Sequence, residues 1–183
     1  MWSTKAIVLS RQVFYEADCY IQFLTQGWGV ITCLAKSARK SLRRYVGGLD
    51  LFCHDEIFIK GDPHDKPYLV ELTVLNSFQR LRGNLDKLAA AGTANRWILK
   101  LANTAIPIPQ IYSLLGQFLA LLENEELPIR IQCLTLLFRL KLLSALGIKP
   151  ITEQCTVCGT KEDPLLWGFD ISCLLYTSPS PRD

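Results

Sequence analysis

The sequence predicts an α+β protein in which a β-rich part comes first and a helical part follows. Up to about residue 78, short apolar runs alternate with turn residues, which is typical of strands. From Asn84 onward the apolar residues recur with the period of a helix instead. The first part holds about five strands, the number expected of a small closed barrel such as the OB-fold.

Each predicted strand is rich in β-forming residues and is bounded by turn residues. Gln26–Gly29 forms one turn, and the turn-rich segment Lys60–Pro67 precedes the last strand. The predicted strands are Thr4–Leu9, Cys19–Thr25, Gly29–Ala35, Asp55–Lys60 and Tyr68–Leu75. Aromatic residues in such positions are more often core than surface, so we expect core packing for Trp28, Phe52, Phe58, Tyr68 and Phe78.

Three helices are predicted, and proline and glycine set their ends. Ile106–Pro109 breaks the first helix, Pro128 suits the start of the third, and Gly147 ends it. The apolar faces run from Leu85 to Ala105, from Ile111 to Leu122 and from Ile131 to Ala145.

Composition favours a globular chain in a reducing compartment. The 183 residues are 49% hydrophobic and 20% charged, and neither a secretory signal nor a membrane span is predicted. Of the seven cysteines, four are scattered among apolar residues. We expect these four to be buried, reduced thiols, in keeping with a reducing cytoplasm: Cys19, Cys33, Cys53 and Cys133.

A dense run of cations lies between two predicted strands, and we call residues 36–44 the cationic segment. No acidic residue occurs between Asp18 and Asp50. A cationic loop on a β framework predicts a site for a phosphate backbone, although most such runs are only solvated surface. The predicted DNA-binding residues are Lys36, Arg39, Lys40, Arg43 and Arg44. Tyr45, which follows, is predicted either to stack on bases or to face the core.

No pattern of catalytic residues is present, so we do not expect an enzyme. The two histidines, His54 and His64, lack a neighbouring metal or triad constellation, and Gly47–Gly48 lacks the lysine of a phosphate-binding loop. The acidic residues Asp55–Glu56 and Glu123–Glu126 are predicted to be solvated patches.

Cys155 and Cys158, followed by Gly159, have the spacing of half a zinc site. A thioredoxin-like redox pair is less favoured, because such a pair opens a helix after a strand. Only Cys173 follows, in residues 173–183, which resemble the translation of a sequencing-library adapter. We therefore predict zinc in the full-length parent and poor zinc binding in this chain.

The sequence divides into four predicted parts. They are 1–80 for the barrel, 81–150 for the helical domain, 151–172 for a partial zinc module and 173–183 for a non-native tail.

Several segments, in this order and spacing, resemble the RecO family of DNA repair proteins. They are Lys5–Leu9, Tyr15–Asp18, Gly29–Ile31, Ala35–Arg39, Gly47–Leu49, Phe52, Phe78, Leu81–Arg82, Leu85, Leu143–Pro150 and Cys155–Gly159. The chain departs from the family at its end, where a second cysteine pair is missing.

The resemblance implies an N-terminal OB-fold, a helical domain and a zinc-binding module. It also implies a recombination mediator that binds single- and double-stranded DNA, anneals complementary strands and, with RecR, helps load RecA recombinase onto strands covered by single-stranded DNA-binding protein. The acidic tail of that last protein is expected on the helical region, with Arg130, Arg139 and Lys141 as candidate contacts. The alternative is a zinc-dependent protein–protein adaptor whose basic loop binds an acidic partner.

Overall fold

The computed structural model describes residues 1–40, 44–102 and 107–148, together with two short strands nearer the end of the chain. The chain divides into two compact units, residues 1–139 and 140–183. In the second unit, β6 (Gly168–Asp170) and β7 (Leu175–Thr177) pair as an antiparallel ribbon. No described helix is long and apolar enough to cross a membrane.

Five strands close into a barrel at the start of the first unit. They are β1 (Trp2–Phe14), β2 (Asp18–Thr25), β3 (Gly29–Ala35), β4 (His54–Lys60) and β5 (Tyr68–Asn76). The order around the barrel is β1-β2-β3-β5-β4, and β4 pairs with β1 to close it. Neighbours are antiparallel except β3 and β5, which pair in parallel. This is the predicted OB-fold, so the predicted fold class is confirmed.

The core of the barrel is formed by side chains that point inward at alternate positions along the strands. Side chains at every second position point inward and are almost fully buried, as the two-residue period of a strand requires. They include Ala6, Val8, Ile21, Phe23, Ile31, Cys33, Ile57 and Ile59. β1 runs on past the predicted end at Leu9 as far as Phe14, with a bulge between Val8 and Ser10. Bulges bend a strand and strengthen its twist, which closure of a small barrel needs.

Three helices follow a short 3-10 turn at Gln79–Gly83: α1 (Leu85–Leu101), α2 (Pro109–Asn124) and α3 (Pro128–Ala145). The Asn84 side chain caps α1 by accepting hydrogen bonds from the amides of Asp86 and Lys87. One polar side chain of α1, Asn95, and one of α2, Tyr112, contact the barrel. Asn95 Nδ2 donates to the carbonyl of Leu9 at 2.9 Å, beside the bulge, and His54 Nε2 lies 2.6 Å from the Tyr112 hydroxyl.

Four expectations about burial were wrong. Cys133 is exposed on α3, whereas Cys19, Cys33 and Cys53 are buried as predicted. Asp55 is fully buried rather than solvated. Trp28, in the turn before β3, and Tyr68, the first residue of β5, were expected in the core but are 39% and 45% exposed.

Candidate nucleic-acid interface

The cationic segment begins where β3 ends and is tied to the turn between β1 and β2. The Ser37 amide donates to the Asp18 carboxylate at 2.7 Å. The Arg39 amide donates to the Ala17 carbonyl at 3.1 Å, and Arg39 Nη1 donates to the Glu16 carbonyl at 3.2 Å. These bonds fix the start of the segment against the β1–β2 turn, so Arg39 has a defined position on the barrel.

The far end of the segment is anchored in the barrel itself. The Arg44 carbonyl accepts from the Leu72 amide at 3.3 Å, and Arg44 Nη2 donates to the Lys36 carbonyl at 3.1 Å. Tyr45 is buried, and its hydroxyl donates to the Leu69 carbonyl at 2.9 Å. Burial raises the pKa of Tyr45, against the opposing effect of the Arg44 charge. Of the two predicted roles for Tyr45, the structure therefore favours the core one.

The described cations of this segment face solvent. Lys36, Arg39, Lys40 and Arg44 are all exposed, whereas Arg43 lies outside the described residues. Lys36 Nζ lies 4.6 Å from the centroid of the Tyr68 ring, a cation–π contact on the surface. Among the residues that the structure describes, Lys36, Arg39 and Lys40 form no ion pair. Their charge is therefore open to an external anion.

Aromatic side chains that the sequence analysis did not single out lie beside the same turn. The Phe14 ring is 4.4 Å from the Tyr15 ring and 4.6 Å from the Tyr20 ring, measured between centroids. Lys66 Nζ lies 5.8 Å from the Tyr20 centroid. We call Phe14, Tyr15 and Tyr20 the aromatic cluster. The register of β1 with β2 brings Tyr20 to the adjacent pair Phe14 and Tyr15, which is why the sequence alone did not indicate the cluster.

A polar groove of about 420 Å³ continues from the aromatic cluster across the outer face of the barrel. Its floor uses the outward positions of β1, β2 and β3, opposite the buried ones. The lining residues are Ser10, Gln12, Phe14, Tyr20, Gln22, Thr32 and Lys66. Amide and hydroxyl groups next to aromatic rings can hydrogen-bond base edges while the rings stack on base faces.

A buried carboxyl lies inside the barrel near the end of the loop that carries the cations. Asp55 is 0% exposed, and in the described part of the chain neither of its carboxyl oxygens has a hydrogen-bond partner. Burial raises its pKa to about 8. A Cβ at Gly48 would clash with Leu72 Cδ1 and lie 3.0 Å from Asp55 Oδ1, so glycine at this position leaves room for both side chains.

The first unit also contains a groove of about 410 Å³ between α1 and α3, and we call it the helical groove. Its walls are mainly apolar and include Ala90, Trp97 and Ile131. The Arg139 guanidinium lies 5.5 Å from the centroid of the Trp97 ring, which stacks on Phe138. An apolar groove with a cation on its wall fits a peptide that carries both apolar and acidic groups.

The other predicted site residues are only partly described. Arg130 is exposed and lies 3.9 Å from Glu125, away from the lining of the helical groove. Lys141 belongs to the second compact unit and stays a prediction. Cys155 and Cys158 lie outside the described residues, so zinc binding by the longer protein also stays a prediction. Within the described residues, no three His, Cys, Asp or Glu side chains are placed to hold a metal.

The barrel places the chain in the class of OB-fold proteins, and a cationic loop beside an aromatic face is an arrangement that nucleic-acid-binding members of this class use. Within that class, the chain belongs to the recombination protein O family. The family's N-terminal domain matches residues 1–78 and its C-terminal domain matches residues 82–180. The resemblance seen in the sequence is thereby confirmed.

The relatives found by comparison are DNA repair proteins RecO from several bacteria. The chain is 31% identical over 172 residues to the one from Desulfatibacillum aliphaticivorans, covering 91% of this chain and 64% of the relative. It is 27% identical over 190 residues to the one from Syntrophus aciditrophicus, covering 98% and 71%. With the protein from Myxococcus xanthus it shares 30% over 155 residues, covering 84% and 62%. The chain thus spans roughly two thirds of the length of these relatives.

Proposed function

We propose that this chain binds single- and double-stranded DNA without sequence preference and acts as a recombination mediator in bacterial DNA repair. The observation that supports this most is the cationic segment, whose charges at Lys36, Arg39 and Lys40 are exposed and unpaired within the described residues. Cations that neutralise phosphates bind every sequence alike, because the phosphate backbone is the same throughout.

Strand annealing would follow from this binding without any catalytic group. Two complementary strands repel each other because both are polyanions. A cationic surface that holds both strands reduces that repulsion and raises the rate at which complementary bases meet. We further propose, from membership of the family, that the protein joins RecR and helps load RecA recombinase onto single strands covered by single-stranded DNA-binding protein.

The salt dependence of DNA binding tests this function. If the five cations of the segment each neutralise one phosphate, log affinity for single strands falls with log salt at a slope of about −3.5, taking about −0.7 per contact. The measurement is fluorescence anisotropy of a labelled oligo-dT from low to moderate salt. In a parallel assay, the protein should speed the annealing of two complementary strands that carry a donor and an acceptor fluorophore.

Polyglutamate of matched length serves as the competitor in both assays. The adaptor alternative requires an acidic protein partner, so under it polyglutamate would displace the oligonucleotide at similar concentration. Under the proposed function, unlabelled oligo-dT displaces the probe at much lower concentration than polyglutamate does, because arginine binds phosphate in a fork and can stack on bases. A slope near zero, or annealing no faster than without the protein, would contradict the proposal.

A second binding function is favoured by the helical groove. We propose that it receives the acidic, apolar-ended tail of single-stranded DNA-binding protein. The apolar walls at Trp97 and Ile131 suit the end of the tail, and Arg139 supplies a cation for its carboxylates. Such a contact would hold the mediator on strands that are covered by single-stranded DNA-binding protein.

Titration of a labelled tail peptide tests the groove. We expect binding at tens of micromolar or tighter, and a loss of about 10-fold in Arg139→Glu, because attraction at the groove wall becomes repulsion. Arg96→Glu is the matched control, since Arg96 is exposed on α1 but does not line the groove. Equal affinity of wild type and Arg139→Glu would place the tail elsewhere.

A further inference from the structure

Tyr15 projects a large aromatic ring into solvent from a backbone conformation that residues other than glycine seldom adopt. Its φ is +53°, in the left-handed region, and it is 79% exposed. Neither burial nor turn geometry calls for tyrosine here, because asparagine or glycine would suit this φ better. An exposed aromatic side chain on a strained backbone often marks a functional position.

The Tyr15 ring is the outermost member of a continuous set of rings. Phe14 contacts Tyr15 and Tyr20, with centroids 4.4 Å and 4.6 Å apart. Lys66 Nζ lies 5.8 Å from the Tyr20 centroid, over its ring. The rings thus run from the tip of the β1–β2 turn into the polar groove of the barrel face, where Gln12 and Gln22 offer amide groups.

The same turn is hydrogen-bonded to the cationic segment. Arg39 binds the carbonyls of Glu16 and Ala17, and Asp18 binds the Ser37 amide. A strand whose phosphates lie on Arg39 and Lys40 would therefore have its bases within reach of the aromatic cluster. In a duplex the base faces are covered by neighbouring pairs, so only an unpaired strand could use both surfaces at once.

We propose that the aromatic cluster Phe14, Tyr15 and Tyr20 stacks on unpaired bases, so that this barrel binds single strands more tightly than duplex. The inference rests on the proposed function, since the cationic segment must first hold the phosphates. The cations supply binding common to both forms of DNA, and the rings supply the part that depends on exposed bases. Stacking of this kind tolerates any sequence, because every base has a flat face.

The test compares Tyr15→Ala with wild type on three labelled probes of equal charge per strand: oligo-dT, a duplex, and an abasic strand of the same length. Tyr15→Ala should bind oligo-dT about 10-fold more weakly, as the loss of one base–aromatic stack predicts. Its affinity for the duplex and the abasic strand, and its salt slope, should equal those of wild type. Tyr15→Phe keeps the ring and should bind oligo-dT as wild type does.

Trp28→Ala is the control, because Trp28 is a part-exposed aromatic on the β2–β3 turn, outside the cluster. It should leave the affinity for oligo-dT unchanged. If wild type shows salt-dependent binding but Tyr15→Ala binds oligo-dT equally well, the aromatic cluster is not a base-stacking site although the DNA-binding function stands. An equal loss on oligo-dT and on the abasic strand would also overturn the inference. If wild type binds no probe, the proposed function fails first.

Discussion

Between pH 4 and pH 8 the wild-type chain should lose about 6 kcal/mol of stability through Asp55, and replacing Asp55 with asparagine should abolish that loss. The carboxyl is fully buried and, within the described residues, makes no hydrogen bond. Burial raises its pKa from 3.8 to about 8. In this pH range the folded chain keeps the Asp55 proton, whereas the unfolded chain has released it.

The sign of the effect follows from proton counting. The folded state binds more protons than the unfolded state, so the free energy of unfolding falls as pH rises, by about 1.4 kcal/mol per pH unit. The fall starts near pH 4, where the unfolded carboxyl ionises, and levels off near pH 8, where the folded carboxyl ionises too. Asparagine carries no proton in either state and abolishes this contribution. It leaves a buried amide, which lowers stability by a constant amount at every pH.

Urea unfolding of wild type and Asp55→Asn from pH 4 to pH 9 measures the effect. The difference in unfolding free energy between the two should shift steadily in favour of the variant as pH rises. Asp50→Asn is the control, because Asp50 is exposed and lies 3.7 Å from Arg11. Its pH profile should follow that of wild type. Parallel profiles for wild type and Asp55→Asn would show that Asp55 titrates normally in the folded chain.

Much of the fold could be predicted because local signals and tertiary structure agree in this chain. The strand from Gly29 to Ala35 and the helix start at Pro128 are fixed by residues with strong local preferences. The end of β1 was missed because Ser10–Gln12 is polar and lacks a local strand signal. Those residues extend the strand because β2 pairs with them across the bulge, which is a tertiary effect.

Of the candidate interface, the sequence predicted the cationic segment but not the aromatic cluster. Five cations within a few residues are visible in any sequence, but Phe14 and Tyr20 come together only through the pairing of Phe14 with Asp18 and of Gln12 with Tyr20. Asp55 was placed in solvent because carboxylates are rarely buried without a partner. Its burial depends on its inward position on β4, which only the register of β4 with β1 and β5 determines.

Reversing three charges of the cationic segment, in the variant Arg39→Glu, Lys40→Glu, Arg43→Glu, should weaken binding to single-stranded DNA at least 100-fold at about 0.1 M salt. Each lost phosphate contact removes about 0.7 from the salt slope, so three contacts change log affinity by about 2 at this salt, and the new carboxylates add repulsion. The loss should be the same for every sequence, because the phosphates and not the bases are affected.

The matched control is Arg80→Glu, Arg96→Glu, Lys100→Glu, which makes the same change in net charge at exposed positions outside the segment. If overall charge governed binding, both triple variants would lose affinity equally. We expect the control to lose only a small part, because its three positions lie outside the segment that contacts the phosphates and salt screens exposed charges. Anisotropy with oligo-dT across a salt series separates the two outcomes: the segment variant should have a slope near −1.4 and the control a slope near −3.5. If the correctly folded triple variant of the cationic segment binds DNA as tightly as wild type does, residues 36–44 do not form the phosphate site.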